Sequence, residues 1–316
     1  MGAVRDEPVL TIETNISAFI PEPGSSYLFG TSVEERSAHS AEWESRAAGV
    51  HFIRLTDQQG AFFSVEMMGQ QRKVLLRSRE QLVQFWKDIP SDVVYFDITG
   101  LSHHIWAPLL RVGVSLKPRI IGVYVEPGDY RPSLTPTEGE IFDLSERILG
   151  IAPLPGFASL AESTDEDVCF VPLLGFEGTR FAYVMEHVQP PGGKTVPIIG
   201  VPGFRIEYPF YTYHGNRAPL TESRAWRNVR FARANCPFSV FYALQDIAAT
   251  YPRDTLKIAP IGTKPHALGA VLYAMATLKP VELVYDHPIR KATRTAGTSR
   301  LLLYQLSALP LAGSRA

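Results

Sequence analysis

Cysteine is scarce in this chain: Cys169 and Cys236 are the only two, each in or beside an apolar stretch and neither in a Cys-x-x-Cys pair. That excludes a disulfide scaffold and a cysteine-rich zinc site, and two buried free thiols are expected. Excess charge is lacking too. Against 31 Lys plus Arg stand 32 Asp plus Glu, a net charge of −1. A globally basic nucleic-acid binder is thereby disfavoured, while a local basic patch stays open. No apolar run approaches the roughly 20 residues of a membrane span. Residues 1–14 lack the basic start and apolar core of a signal peptide. No membrane partner is expected, and the cytoplasm is the default compartment.

Familiar catalytic signatures are missing as well. The chain has no Gly-x-Gly-x-x-Gly opening a strand-to-helix turn, no Walker phosphate loop, no Gly-x-Ser-x-Gly elbow and no His-Glu-x-x-His. Dinucleotide oxidoreductases, P-loop ATPases and ordinary serine hydrolases are poor candidates on that ground. No cofactor is expected. No metal is expected either, because no third ligand stands at helical spacing from the paired histidines.

What the chain does have is strand-then-helix alternation. Residues 27–30 are a short apolar run ending in Gly30, and 33–48 read as a helix with charges on one side. A strand at 51–55, a hairpin over 62–76 and a helix from Ser78 follow, then an all-apolar strand at 93–96, a helix at 103–114 and a strand at 119–125. Residues 126–161 are rich in Pro and Gly and read as a connector with one ordered segment near 141–148. The second half repeats the alternation: strands at 168–174, 196–201, 256–261 and 281–285, and helices at 179–188, 235–251 and 265–278. Asn235 is expected to cap its helix, with Pro237 in the first turn. Residues 301–306 are expected as a last strand at the sheet edge. The fold class expected is α/β: two tandem Rossmann-like units with mostly parallel sheets, pseudo-duplicated. The expected boundaries are 1–131 for an N-terminal domain, 132–165 for the connector and 166–316 for a C-terminal domain.

The duplication is read from four anchors in the same order. Gly30 is followed by Glu34 and Arg36, and Gly175 by Glu177 and Arg180. The turn Thr99-Gly100-Leu101-Ser102-His103 matches Gly262-Thr263-Lys264-Pro265-His266. The helices that follow both run small and apolar, and the next strands end Tyr124-Val125-Glu126-Pro127 and Tyr285-Asp286-His287-Pro288. In open parallel sheets ligands bind beyond the carboxyl ends of the strands, where glycine permits close approach and helix N-termini attract anions. All of these turn residues, with Asn235, are therefore candidate ligand groups. His266, His103 and Lys264 are the candidates for acid–base or electrostatic chemistry. Glu34 with Arg36 and Glu177 with Arg180 read equally as ion pairs bracing the first turn. Downstream, Arg217, Arg224, Arg227, Arg230 and Arg233 are opposed only by Glu222, and the aromatic run 208–213 precedes them. Such a pairing suits phosphates and bases, or a packed loop with solvated arginines.

The Gly-x-x-x-Glu-x-Arg turn at Gly30–Arg36 and the Ile-Thr-Gly turn after Asp97 resemble those of CARF-type domains. Two such units in one chain resemble the SAVED arrangement. The resemblance implies sensing of cyclic oligonucleotides in a prokaryotic defence setting. Such sensors are usually fused to an effector, and here two units use nearly the whole chain, so an effector would be a separate protein or the unit itself would be catalytic. Three functions are weighed: a nucleotide-sensing regulatory protein, an enzyme acting on a nucleotide or nucleoside with a histidine acid/base, and a scaffold whose Arg-rich, aromatic insertion binds a protein partner.

Overall fold

Burial at every position of Ser26–Gly30 and of Val168–Pro172 makes each a strand covered on both faces. Each lies inside a sheet of its own. The structure, a computed structural model, describes residues 10–32, 34–38, 43–58, 60–67, 69–137, 139–159 and 167–309. It divides into two units, Met1–Asp129 with Thr295–Ala316, and Tyr130–Arg294.

The strands of the first unit are β1 (Thr11–Thr14), β2 (Ser26–Gly30), β3 (His51–Thr56), β4 (Phe62–Met67), β5 (Gln70–Leu75), β6 (Val93–Asp97) and β7 (Arg119–Tyr130). The second unit carries β8 (Ser145–Ile148), β9 (Ala152–Pro153), β10 (Val168–Pro172), β11 (Ile198–Gly200), β12 (Arg230–Ala232), β13 (Thr255–Ala259), β14 (Val281–Tyr285) and β15 (Pro288–Arg290). The chain then re-enters the first unit as β16 (Thr295–Gln305). Seven α-helices are present among the described residues. The class is mixed α/β with a large central sheet.

That sheet has eight strands in the order β1-β16-β7-β6-β2-β3-β4-β5. Its centre, β7-β6-β2-β3, is parallel, and antiparallel pairs lie on either side. On one face Tyr27, Phe29, Trp43, Tyr95 and Val123 form a core in which Tyr27 and Trp43 meet edge to face at 5.2 Å. The helix Arg79–Asp88, capped by Ser78, contributes Phe85 and Trp86, and Trp86 meets Phe96 of β6.

In the second unit β10, β13 and β14 are parallel neighbours, and β9 closes the edge antiparallel. On the other flank β11 and β12 pair in parallel, and bridges Phe170↔Thr195 and Leu173↔Ile198 bring β11 alongside β10. The spatial succession is β12-β11-β10-β13-β14. The first strand is central, the second and third lie to one side, and the fourth and fifth to the other. In the first unit β2 has β3 on one side and β6, then β7, on the other.

Several expectations are corrected. The last strand is neither at an edge nor in the C-terminal domain of 166–316, because β16 lies between β1 and β7. Its run Leu301 to Tyr304 is buried at all four positions, as an interior strand requires. The 132–165 connector is no separate body. Its described part belongs to the second unit, and there β8 pairs with β15 and β9 with β14. The expected helix at 33–48 shows a 3₁₀ turn at Glu35–Ser37 and turns after residue 44, while 33 and 39–42 lie outside the described residues. The aromatic insertion folds as a helix, Tyr208–Gly215, that no 3.6-residue apolar period announced. Cys236, not Asn235, is the N-cap of Pro237–Thr250, with no side-chain capping bond. Cys169 and Cys236 are both buried free thiols. Among the described residues no helix is long and apolar enough to cross a membrane, and no group of His, Cys, Asp and Glu is placed to hold a metal.

Candidate functional site

In each sheet the succession of parallel strands reverses beside the first of them, between β2 and β6 and between β10 and β13. A glycine pair stands at each reversal. A β-carbon on Gly100 would lie 1.7 Å from the Gly30 carbonyl oxygen. One on Gly262 would lie 2.7 Å from the Leu174 oxygen, and one on Gly175 3.0 Å from the Ile261 oxygen. These close approaches, rather than backbone twist, require glycine here.

In the first unit this point is occupied by the protein itself. Gln58 donates from Nε2 to the Gly100 carbonyl at 3.2 Å and accepts the Ser102 amide at 2.9 Å. A β-carbon on Gly30 would strike Gln58 Nε2 and Leu101 Cδ2, each at 2.5 Å. Thr99 is buried, with its amide on Asp97 at 2.7 Å and its hydroxyl accepting the Val125 amide at 2.9 Å. Arg36 is buried and pairs with Glu34 at 2.7 Å. Its guanidinium also donates to Tyr124 Oη at 2.9 Å and to the Val125 carbonyl at 2.8 Å, and Glu34 accepts from Thr295 at 2.9 Å. His103 is buried against Trp106, with ring centroids 5.4 Å apart. Ser102 precedes that helix but makes no side-chain capping bond. The Glu34–Arg36 pair is therefore a brace from the first turn to β7.

The second unit has an open crevice at the matching reversal. It holds about 620 Å³ of unfilled space, counting its mouth to solvent. Leu174, Gly175, Ile261, Gly262 and Thr263 line it past the ends of β10 and β13, with Gly200 at the end of β11 and Ala234 after β12. Phe176, Tyr130, Tyr208 and Phe204 supply aromatic lining. Phe176 stacks on Phe142 at 4.5 Å and meets Tyr208 and Tyr130 edge on at 5.2 and 5.3 Å. A backbone approach brings the aromatic helix here: a β-carbon on Gly178 would lie 1.9 Å from the Gly215 oxygen, and one on Gly215 2.0 Å from the Phe176 oxygen. Buried Asn216 secures the junction by donating to the Gly175 carbonyl at 2.7 Å.

Charged groups on this wall are Glu177, Arg180 and Arg294. Glu177 Oε1 accepts the amides of Leu144 and Ser145 at 2.9 and 2.8 Å, and Oε2 accepts the Ser145 hydroxyl at 2.9 Å. Arg180 binds Asp286 with two bonds of 2.6 and 2.7 Å and the Ile261 carbonyl at 3.0 Å. Burial opposes the Arg180 charge, but Asp286 outweighs it and raises the pKa, so the guanidinium stays charged. Arg180 thus reaches from the turn after β10 to the end of β14, as Arg36 reaches from the turn after β2 to β7.

Thr263 caps the helix Lys264–Ala276 by accepting the His266 amide at 3.3 Å, and its hydroxyl donates to the Ala234 carbonyl at 3.0 Å. Lys264 and His266 are buried and do not line the crevice. His266 Nε2 faces the Arg233 carbonyl at 3.1 Å, which makes it the protonated nitrogen. Burial, only partly offset by the carbonyls of Arg233 and Ala232, brings its pKa down to about 4. The ring is neutral at neutral pH. Asn235 also lies outside the lining.

The predicted residues that meet in the crevice are thus Gly175, Glu177, Arg180, Gly262 and Thr263. Tyr130, Phe176, Phe204 and Arg294 were not singled out. Tyr208 was visible in its aromatic run and Phe176 lies between the singled-out Gly175 and Glu177, but Tyr130, Phe204 and Arg294 arrive from distant segments. Comparison of the chain with protein-family models, with curated proteins and with solved structures finds no match.

Proposed function

We propose that the second unit binds a nucleotide or another small phosphate-bearing ligand in this crevice, and that the chain works as a regulatory sensor signalling to a separate protein. The observation that carries the reading is a half-open crevice at the strand reversal, floored by glycine backbone and walled by aromatic rings and two arginines. Ligands of open parallel sheets lie at such reversals. Rings such as Phe176 and Tyr208 suit a planar base, and a guanidinium suits a phosphate. The N-terminus of Lys264–Ala276 adds its positive dipole end. A sensor role in prokaryotic defence follows from the CARF and SAVED resemblance.

The reading includes two Rossmann-like units derived by duplication. Its support is the central place of the first parallel strand in each sheet, the glycine pair at each reversal, and the braces Glu34–Arg36 and Glu177–Arg180, which reach β7 and the end of β14. The acid–base alternative is weaker, because His266 and Lys264 lie outside the lining and His103 is packed on Trp106.

The test is calorimetric titration with linear mono- and dinucleotides and cyclic oligonucleotides. One class is expected to bind, and Arg294→Ala to weaken it on the order of tenfold or more, as loss of a charged hydrogen bond does. Silence across all the ligands, or binding indifferent to Arg294→Ala, overturns the crevice as the site.

A further inference from the structure

The Arg-rich segment 224–233 lies outside the crevice lining and is not used by the proposed site. Its sequence, Arg-Ala-Trp-Arg-Asn-Val-Arg-Phe-Ala-Arg, holds four arginines and no acidic residue. It folds as a 3₁₀ turn, Ala225–Asn228, followed by β12, an edge strand paired only with β11 among the described strands. Ala225 and Ala232 point inward and are buried. Arg224, Arg227, Arg230 and Arg233 are all exposed, and among the described residues none forms an ion pair. Some arginines elsewhere on the surface do carry acidic partners, as Arg119 does with Glu22 and Arg300 with Glu126 and Glu13.

The segment also exposes large rings. Trp226 is 51% exposed and Phe231 58%. The Arg227 guanidinium lies 5.3 Å from the Trp226 ring centre, and among the described residues neither ring meets another aromatic side chain. Isolated exposed apolar residues are ordinary. Two aromatic rings set among four unneutralised guanidiniums on one ten-residue strip are a different matter. Arg224 caps the 3₁₀ turn, Arg227 lies in it, Arg230 opens β12 and Arg233 follows that strand, so cations recur along the strip as phosphates do along a polyanion. The exposed Phe231 ring and the Trp226 face opposite Arg227 add stacking, which an acidic peptide would not use.

We propose that the strip 224–233 is a binding surface for single-stranded nucleic acid, separate from the crevice. Arginines hold successive phosphates, and Trp226 and Phe231 stack on unpaired bases. Recognition is sequence-tolerant, because every base offers a π-face. Duplex is disfavoured, because its bases are already stacked on one another.

The experiment is fluorescence anisotropy with a labelled oligouridylate of about 16 nucleotides, within the range of such sites, measured across salt. Parallel titrations use a duplex of equal length and a polyglutamate peptide. Single strand is expected to bind. Combined Arg227→Ala, Arg230→Ala and Arg233→Ala lowers the slope of log K against log salt by roughly 2, at about 0.7 for each phosphate no longer neutralised. Combined Trp226→Ala and Phe231→Ala weakens binding on the order of tenfold or more at every salt concentration and leaves the slope unchanged. Trp226→Phe retains most of the affinity. Arg294→Ala leaves binding intact, which separates this surface from the crevice. All substituted strip positions are exposed, and circular dichroism checks that the variants fold. Failure to bind single strands overturns the proposal. So does equal affinity for polyglutamate or duplex with no response to the aromatic substitutions, or abolition of binding by Arg294→Ala.

Discussion

Replacing His266 by glutamine removes one titrating group while keeping an N–H donor for the Arg233 carbonyl. In the folded chain burial holds the ring pKa down to about 4, against an ordinary value of 6.5. Between those values the unfolded chain binds a proton that the folded chain refuses. Stability therefore rises with pH across that window, is complete above 6.5 and is lost as pH falls through it. The full difference corresponds to about 3 kcal/mol. Roughly 2 kcal/mol of it is already lost at about pH 5, and almost none at about pH 7.5. The assay is urea denaturation of the parent protein and His266→Gln at those two pH values. Other carboxylates and histidines titrate alike in both proteins, so the difference between the two pH differences isolates this ring. The parent is expected to lose about 2 kcal/mol more than the variant. Ring NMR should find His266 still neutral at about pH 5, more than halfway down that window. Equal acid losses in the two proteins would refute burial as the cause, and with it the enclosure of His266 against the Arg233 carbonyl.

Two further substitutions test the packing beneath the strand reversals. Gly100→Ala forces a β-carbon to 1.7 Å from the Gly30 oxygen, a backbone atom that cannot swing aside. A loss of about 3 kcal/mol or more is expected. Gly192→Ala, with nothing within 4 Å, should stay within about 0.5 kcal/mol. Thermal melts that coincide for the two would contradict the close approach. Arg180→Ala strands Asp286, which is fully buried, and should cost about 3–5 kcal/mol. Adding Asp286→Ala should recover part of that cost, and a double variant equal to the sum of the singles would show the pair to be uncoupled.

The parallel strands and most helices were legible in the sequence because their cause is local. Runs such as Val-Val-Tyr-Phe at 93–96 and Val-Cys-Phe-Val at 168–171 have no polar face, and only a strand buried on both sides accommodates that. Caps such as Ser78 and Thr263 place helix starts through a side chain three residues from the amide it accepts. The glycine pairs were visible as residues but not as neighbours, since Gly30 and Gly100 are 70 positions apart and meet only when β2 and β6 pair.

The strand pattern, the glycine turns and the unneutralised arginine run were set by the chain's own chemistry. Tertiary structure decided which turn is open. Both reversals carry glycine and an acid–arginine pair, yet among the described residues Gln58 and Leu101 fill one while Gly200 and Ala234 line open space at the other. It also decided where β16 goes: an apolar strand needs two neighbours, and the first unit's sheet offers them in β1 and β7. The aromatic helix reached the crevice through Gly178 and Gly215, whose missing side chains let two backbones touch. Such outcomes depend on volume shared between distant segments, and no local periodicity encodes a shared volume.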